Sequence, residues 1–290
     1  MSNQATSPCN AILLVSCPDQ RGLVAALSTF VNDNNGNIIE LEQHVDTEAG
    51  VFFMRLQWDL TDFSISTDAL PDAIRALAER FRMHWELYFS DDTPRMAVFV
   101  SRHSHCLLDI LSRIQSCEWN VKLPLIISNH AELKHFADNL GIEFHMFPIK
   151  PETKLQQEQK IRSLLEQHKI EFLVLARYMQ ILSDEFVQHY PNRIINIHHS
   201  FLPAFPGARP YHSAHTRGVK IIGATSHYVT KELDAGPIIE QDIVHVTHND
   251  SVDDLVHKGR DVEKLVLARA IWKHLQRKIL VHNNRTVVFE

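Results

Sequence analysis

The sequence predicts an α/β protein in two parts, an N-terminal βαββαβ module followed by a doubly wound α/β domain. Three observations carry this. Within the first ninety residues, strand-like apolar runs and amphipathic helices follow the order of a split βαβ, ferredoxin-like sheet. From Met96 onward, apolar runs alternate with helical patterns, as in a parallel sheet covered on both faces. Between these parts, Ser90-Asp91-Asp92-Thr93-Pro94 is a short polar break, which sets the expected domains at 1–90 and 91–290.

Taken in order, Asn10 to Cys17 is a strand closed by Pro18-Asp19. Leu23, Val24, Leu27, Phe30 and Val31 recur at helical spacing over Arg21 to Asn32, and Asn34-Asn35-Gly36-Asn37 stops that helix. Ile38 to Val45 and Val51 to Trp58 form a hairpin. Leu70 to Phe81 is a second amphipathic helix, and Trp85 to Phe89 is the last strand of the module. In the second part, strand Met96 to Ser101 leads to helix Cys106 to Ile114. Val121 to Ser128 is nearly continuously apolar, as strands buried on both faces are. Helices follow at His130 to Leu140, Glu158 to His168 and Asp184 to His189. They alternate with strands at Glu143 to Phe147, Phe172 to Ala176 and Arg193 to His198. Val219 to Val229 and Gly236 to Val246 are two further strands, Val252 to Gln276 is a long helix, and Ile279 to Phe289 is a hairpin turning at Asn283-Asn284.

Composition removes several function classes. A net charge of −6 argues against a nucleic-acid partner, which needs a basic face. No apolar run reaches the length of about 18 residues that spans a membrane, and the N-terminal residues lack the basic start and apolar core of a signal peptide. Cys9, Cys17, Cys106 and Cys117 show no C-x-x-C spacing, so reduced thiols and a cytoplasmic location are expected. The 19 histidines raise the question of a metal. His198 and His199 are adjacent and are expected on opposite sides of a strand, and His212 and His215 have no H-E-x-x-H or cysteine companions. No metal is therefore expected. No G-x-S-x-G elbow, G-x-G-x-x-G turn or Walker A run is present, so neither a serine nucleophile nor a nucleotide cofactor is expected.

One constellation is left. Asn196 and His198 share a face of one strand, at its end, beside a proline-bounded loop from Ser200 to Gly207. Asp234 sits in a turn before Ala235-Gly236-Pro237. Singly, each is an ordinary strand or turn residue satisfied by neighbouring backbone. Together, an amide, an imidazole and a carboxylate make a general acid/base site with an oxyanion donor.

These residues also carry two family resemblances. The βαββαβ order, with Cys17-Pro18-Asp19-Gln20-Arg21-Gly22-Leu23 at the first strand-to-helix turn, resembles the ACT domain. That resemblance implies an amino-acid effector site using Asp19, Arg21 and Gly22 and pairing into a homo-oligomer, with a purely structural dimerisation module as the alternative. Asn196-Ile197-His198, Ser200-Phe201-Leu202-Pro203, Gly207 and Leu233-Asp234-Ala235-Gly236 resemble the folate-dependent formyltransferases, most closely from about Leu173 to Gln241. With the N-terminal module, His199 and Ala208-Arg209-Pro210-Tyr211, the chain as a whole resembles the formyltetrahydrofolate deformylase family.

That family resemblance implies hydrolysis of 10-formyltetrahydrofolate to tetrahydrofolate and formate, a supply of formate for one-carbon and purine metabolism. It places the catalytic roles on Asn196, His198 and Asp234. It places folate contacts on Tyr178, Met179, Gln180, Ile181, Leu182 and Val187, and on Thr230, Lys231, Glu232 and Leu233. His227 matches a position near the family's site, with a structural role as its alternative. One departure separates water from an amine acceptor. The formyltransferases hold a substrate phosphate on a glycine- and serine-rich turn after the first strand, and Ser101-Arg102-His103-Ser104-His105 replaces it here without glycine. Formyl transfer to an amine such as glycinamide ribonucleotide, and a non-catalytic sensor of amino acids and folate, are the rival readings.

Overall fold

The computed structural model describes residues 9–203 and 210–290. Gly207, Ala208 and Arg209 of the motif loop lie outside the described residues. The chain forms two compact units. One runs to Asp92 and includes 277–280 and 287–290; the other comprises 93–276 and 281–286.

The first unit contains β1 (Asn10–Pro18), α1 (Leu23–Asp33), β2 (Asn37–Asp46), β3 (Val51–Asp59), α2 (Leu70–Phe81) and β4 (His84–Phe89). Its antiparallel sheet has the order β2-β3-β1-β4. Side chains alternate across β1, so Leu13 and Val15 join the helical residues Leu23, Leu27, Leu70 and Ile74 in one core. Leu14 and Phe53 point to the other face, where Phe289, Leu280 and Val287 cover them. This second cluster explains why the terminal segments belong to the first unit, so a single cut after residue 90 does not describe the division. Arg55, fully buried on this unit's sheet, hydrogen-bonds Glu40, Gln57 and the carbonyl of Arg277, which satisfies a charge that burial would otherwise penalise.

The second unit is built on a seven-stranded sheet of order β11-β10-β9-β8-β5-β6-β7. Its strands are β5 (Arg95–Val100), β6 (Lys122–Ser128), β7 (Glu143–Met146), β8 (Phe172–Ala176), β9 (Ile194–His198), β10 (Ile221–Tyr228) and β11 (Ile238–His245). β5 to β9 are parallel, whereas β10 runs antiparallel to both β9 and β11. The helices are α3 (His105–Gln115), α4 (Lys134–Asp138), α5 (Lys154–Gln167), α6 (Asp184–Gln188), α7 (Pro210–Arg217) and α8 (Val252–Leu275). β12 (Ile279–His282) and β13 (Arg285–Val288) form the terminal hairpin. The chain winds outward from β5 to β7, then returns to β8 on the other side of β5. That reversal opens a crevice at the carboxyl ends of the parallel strands.

Three elements differ from the sequence reading. The helix expected over 130–140 shrinks to α4, because the Ser128 hydroxyl takes the His130 N–H and holds the chain in a turn. α5 begins four residues before Glu158, in a polar run with no apolar period to reveal it. α7 was not foreseen; Tyr211 and Ala214 bury one side of it. No helix among the described residues is long and apolar enough to cross a membrane.

Phe99 on β5 is fully buried and meets the rings of Tyr178 and Phe186 edge-on, with centroids 5.3 and 6.3 Å away. Phe99→Ala should therefore destabilise the second unit by about 3–5 kcal/mol in urea unfolding. A loss below about 1 kcal/mol would show that these rings do not hold the loop after β8.

Candidate active site

The site is assembled at the carboxyl ends of β8 and β9. After Ala176 the backbone turns through Arg177, which has a left-handed φ of 61°. The following loop is gripped from the neighbouring strands. Ser101 donates to Asn129 Oδ1 (2.6 Å) and accepts the Met179 N–H (3.0 Å). Tyr178 and Leu182 bury their side chains, leaving Met179 and Ile181 exposed. The segment after His198 is clamped in the same way. Thr225 on β10 donates to the Ser200 carbonyl (2.9 Å) and accepts the Leu202 N–H (3.0 Å).

The antiparallel register sets His227 on β10 opposite Asn196 on β9. The chain then turns back, with Asp234 in a left-handed conformation (φ 54°). Gly236 permits that turn: a Cβ there would lie 1.8 Å from the Tyr228 carbonyl oxygen, so no other residue fits. The result is a cavity of about 350 Å³. It is lined by Asn196, His198 and Asp234, by Tyr178 to Leu182, and by Thr230 to Leu233. Val187 is the exception among the expected residues. It faces inward from α6 and packs in the core with Leu182 and Tyr190. Asp19, Arg21 and Gly22 lie in the first unit, in an exposed turn that Gly22 enters with φ 89°.

Around the cavity's polar end, Asp234 Oδ1 lies 3.2 Å from His198 Nδ1 and 3.7 Å from His227 Nε2. The hydrogen bond from His198, then the nearby His227 ring, holds the Asp234 carboxyl well below the usual carboxylate range despite partial burial. Asp234 thus fixes the proton of His198 on Nδ1, and the opposite nitrogen, Nε2, is buried with no hydrogen-bond partner. Asn196 Nδ2 donates to His227 Nε2 (3.2 Å), while His227 Nδ1 donates to the Tyr228 carbonyl (2.9 Å). One amide hydrogen of Asn196 remains for a ligand. An acceptor-capable imidazole, an amide donor and an ionised carboxylate therefore converge on one apolar-walled space.

Arg177 and His199 also line this cavity. His199 does not point away from His198 as strand alternation predicts. β9 ends at His198, and the two rings stack with centroids 5.1 Å apart. Burial, then the charges of Arg177 and His198, pushes His199 down to about 4. Behind it, Glu263 on α8 accepts from His105 (2.7 Å) and Tyr211 (2.6 Å). Burial opposes its ionisation, but His105, the Arg177 charge and Tyr211 together hold it down at about 2. His105, Cys106 and Glu263 place ligating atoms within 4.8 Å of one another. Their donors are already committed, however: both Glu263 oxygens are hydrogen-bonded, and burial followed by the Glu263 charge pushes the Cys106 thiol far up.

The glycine-free turn after β5 is likewise closed by its own residues, through Ser101 and through His105 to Glu263. Sequence reasoning missed Arg177 and Glu263. The only signal for the first was an arginine where the strand breaks, and the second is hidden within a 24-residue helix.

Comparison with known proteins identifies the family of each region. Residues 94–271 match the formyl transferase family, and residues 11–78 match the ACT domain. A formyltetrahydrofolate deformylase of Synechocystis is 57% identical, the match covering 96% of this chain and 98% of that protein. The crystal structure of a formyltetrahydrofolate deformylase from Pseudomonas syringae superposes with a TM-score of 0.96 at 44% identity, covering 99% of this chain and 96% of the other. A glycinamide ribonucleotide transformylase of Symbiobacterium toebii is 28% identical with a TM-score of 0.65, covering 71% of this chain and 98% of its own. The ACT and formyl transferase regions together, matched over nearly the full length at this identity, show that the chain belongs to the formyltetrahydrofolate deformylase family.

Proposed function

We propose that this protein hydrolyses 10-formyltetrahydrofolate to tetrahydrofolate and formate. The observation that carries the reading is His198 Nε2, buried and unpartnered in a cavity between an amide donor and an ionised carboxylate. The exposed apolar side chains of Met179, Ile181 and Leu233 suit the face of a flat pterin, and the backbone of the 178–182 and 230–233 segments offers groups for its edge.

Water adds to the formyl carbon as the carbonyl electrons move to oxygen, where Asn196 Nδ2 donates to the developing charge. His198 takes the water proton at Nε2 and delivers it to N10 as the carbon–nitrogen bond breaks, its electron pair staying on nitrogen. The acid formed loses a proton and leaves as formate. Asp234 Oδ1 steadies the imidazolium between these steps, and its second oxygen orients the water. Nothing in this scheme needs a cofactor or metal. Water is favoured over an amine because the glycine-free turn is occupied by its own side chains. The first unit is read as a regulatory module that binds a small amino acid, such as glycine or methionine, at Asp19, Arg21 and Gly22 and pairs with another copy. The enzyme is read as cytoplasmic, in keeping with its four free thiols.

Incubated with 10-formyltetrahydrofolate and no acceptor, the protein should release formate in step with tetrahydrofolate; release only when an amine is added would establish a transferase. His198→Ala and Asp234→Asn should each lower kcat by about 10²–10⁴-fold while leaving the circular-dichroism spectrum unchanged. Near-native turnover in either variant removes this assignment.

Stability should depend on pH through His199, whose proton affinity is low only in the folded state. Between the ordinary 6.5 and about 4, the unfolded chain takes up a proton that the folded chain refuses. Stability is thus unaffected by this group above 6.5 and falls as the pH drops through that window, by up to about 3 kcal/mol. Urea unfolding at pH 7 and pH 4.5 should show a smaller loss for His199→Asn than for the native protein; an equal loss would contradict a buried neutral imidazole. For the effector module, a panel of amino acids at millimolar concentration should change turnover, and Arg21→Ala should blunt the response. Turnover that is flat across the panel would exclude regulation through this turn.

A further inference from the structure

We propose that Arg177 forms a carboxylate subsite that receives formate as it is released beside His198. The proposal rests on the hydrolytic reading above and adds to it a product-binding residue. Arg177 lines the catalytic cavity, its side chain only 11% exposed. Its Nε and Nη1 are both buried without a hydrogen-bond partner. Buried guanidinium nitrogens in this condition are rare, because the lost hydration is not returned.

The neighbouring carboxylate does not supply the missing bonds. Glu263 Oε2 is 3.5 Å from Arg177 Nε and is already taken by His105, while Oε1 is taken by Tyr211. Glu263 therefore faces Nε and balances the charge of Arg177, while Nη1 is left without an acceptor. The paired amino groups Nη1 and Nη2 at the end of a guanidinium form the planar fork that matches the two oxygens of a carboxylate.

The backbone supports the same conclusion. Arg177 holds a left-handed φ of 61°, a conformation that favours glycine, so a long charged side chain is kept there against a local preference. The reaction makes one small carboxylate, and it makes it in this cavity. His199, neutral beside Arg177, does not compete for the anion. The negative charge of Glu263 keeps the subsite close to neutral overall, which favours release of the product over its retention.

The test measures formate as an inhibitor of deformylation and, separately, the line broadening of ¹³C-formate by the folate-free protein, with acetate as the bulkier comparison. The native protein should broaden the formate signal and be inhibited by formate more strongly than by acetate. Arg177→Lys keeps the charge opposite Glu263 but loses the fork, and Arg177→Met loses both. The inhibition constant for formate should rise at least about tenfold in both variants, with KM for the folate changed far less. Because Arg177→Met leaves Glu263 without its counter-charge, Arg177→Lys is the decisive variant if the other melts early. Native-like formate inhibition and line broadening in Arg177→Lys would overturn the proposal, as would a native protein that releases formate yet does not bind it, the buried nitrogens then being satisfied by water alone. Absence of any formate release from the native protein would instead overturn the hydrolytic reading.

Discussion

The site depends on the carboxylate of Asp234 lying between two imidazoles. Each feature around it serves that contact. Gly236 lets the turn pass against the Tyr228 carbonyl, and Asp234 reaches the cavity from a left-handed backbone that an ordinary turn would not offer. The β9–β10 register places His227 opposite Asn196, so a single carboxylate oxygen approaches His198 and His227 together. The imidazoles favour the ionised carboxyl, and the carboxylate in turn fixes the His198 proton on Nδ1. This is why the antiparallel strand β10, outside the parallel part of the sheet, is needed at the site: a further parallel strand would not return the chain through a tight turn beside β9.

A second charged group sits on the other side of the paired histidine rings. Here α8 supplies Glu263, and Gly259, one turn earlier on the same helical face, makes room for Tyr211 to reach it. A Cβ at Gly259 would lie 2.1 Å from the Tyr211 hydroxyl oxygen. Two ionised carboxylates therefore flank the stacked rings of His198 and His199, one of them tied to His198 and the other to Arg177 and His105. Burial denies His199 a proton, which avoids a second positive charge beside Arg177.

Much of this was legible in the sequence, for reasons that can be located. The two-residue spacing of Asn196 and His198 survives because both lie within a regular strand, where alternation is reliable. The spacing of His198 and His199 misled because the strand stops between them, and no pattern marks the stop. The apolar residues at Met179, Ile181 and Leu182 gave no sign of which would be exposed, since that depends on the Ser101 hydroxyl gripping the Met179 amide from another strand. Val187 shares a short helix with Phe186, and only packing decides that both turn toward the core. The terminal residues Leu280, Val287 and Phe289 were legible as a hairpin, but their partners, Leu14 and Phe53, lie more than 200 positions earlier. Arg177 was invisible for a different reason: its informative property is a backbone angle that its residue type disfavours.

Under the hydrolytic reading, these two charged groups also account for the choice of acceptor. An amine acceptor carrying a phosphate needs a cradle of backbone amides, and glycine is what allows a phosphate to approach them closely. The turn from Ser101 to His105 has no glycine, and three of its side chains are engaged elsewhere. Ser101 bridges Asn129 and Met179, Arg102 pairs with Glu132, and His105 is bonded to Glu263. Freeing His105 to meet a substrate would strip a hydrogen bond from a buried carboxylate, which is costly whatever the substrate returns. Water asks for none of this. It needs an oriented carboxylate oxygen and a nearby base, and the Asp234–His198 pair supplies both from the opposite side of the histidine stack. The Glu263 carboxylate that holds His105 in the turn also faces Arg177 Nε, so the closing of the turn and the charge balance of Arg177 follow from one arrangement of charge.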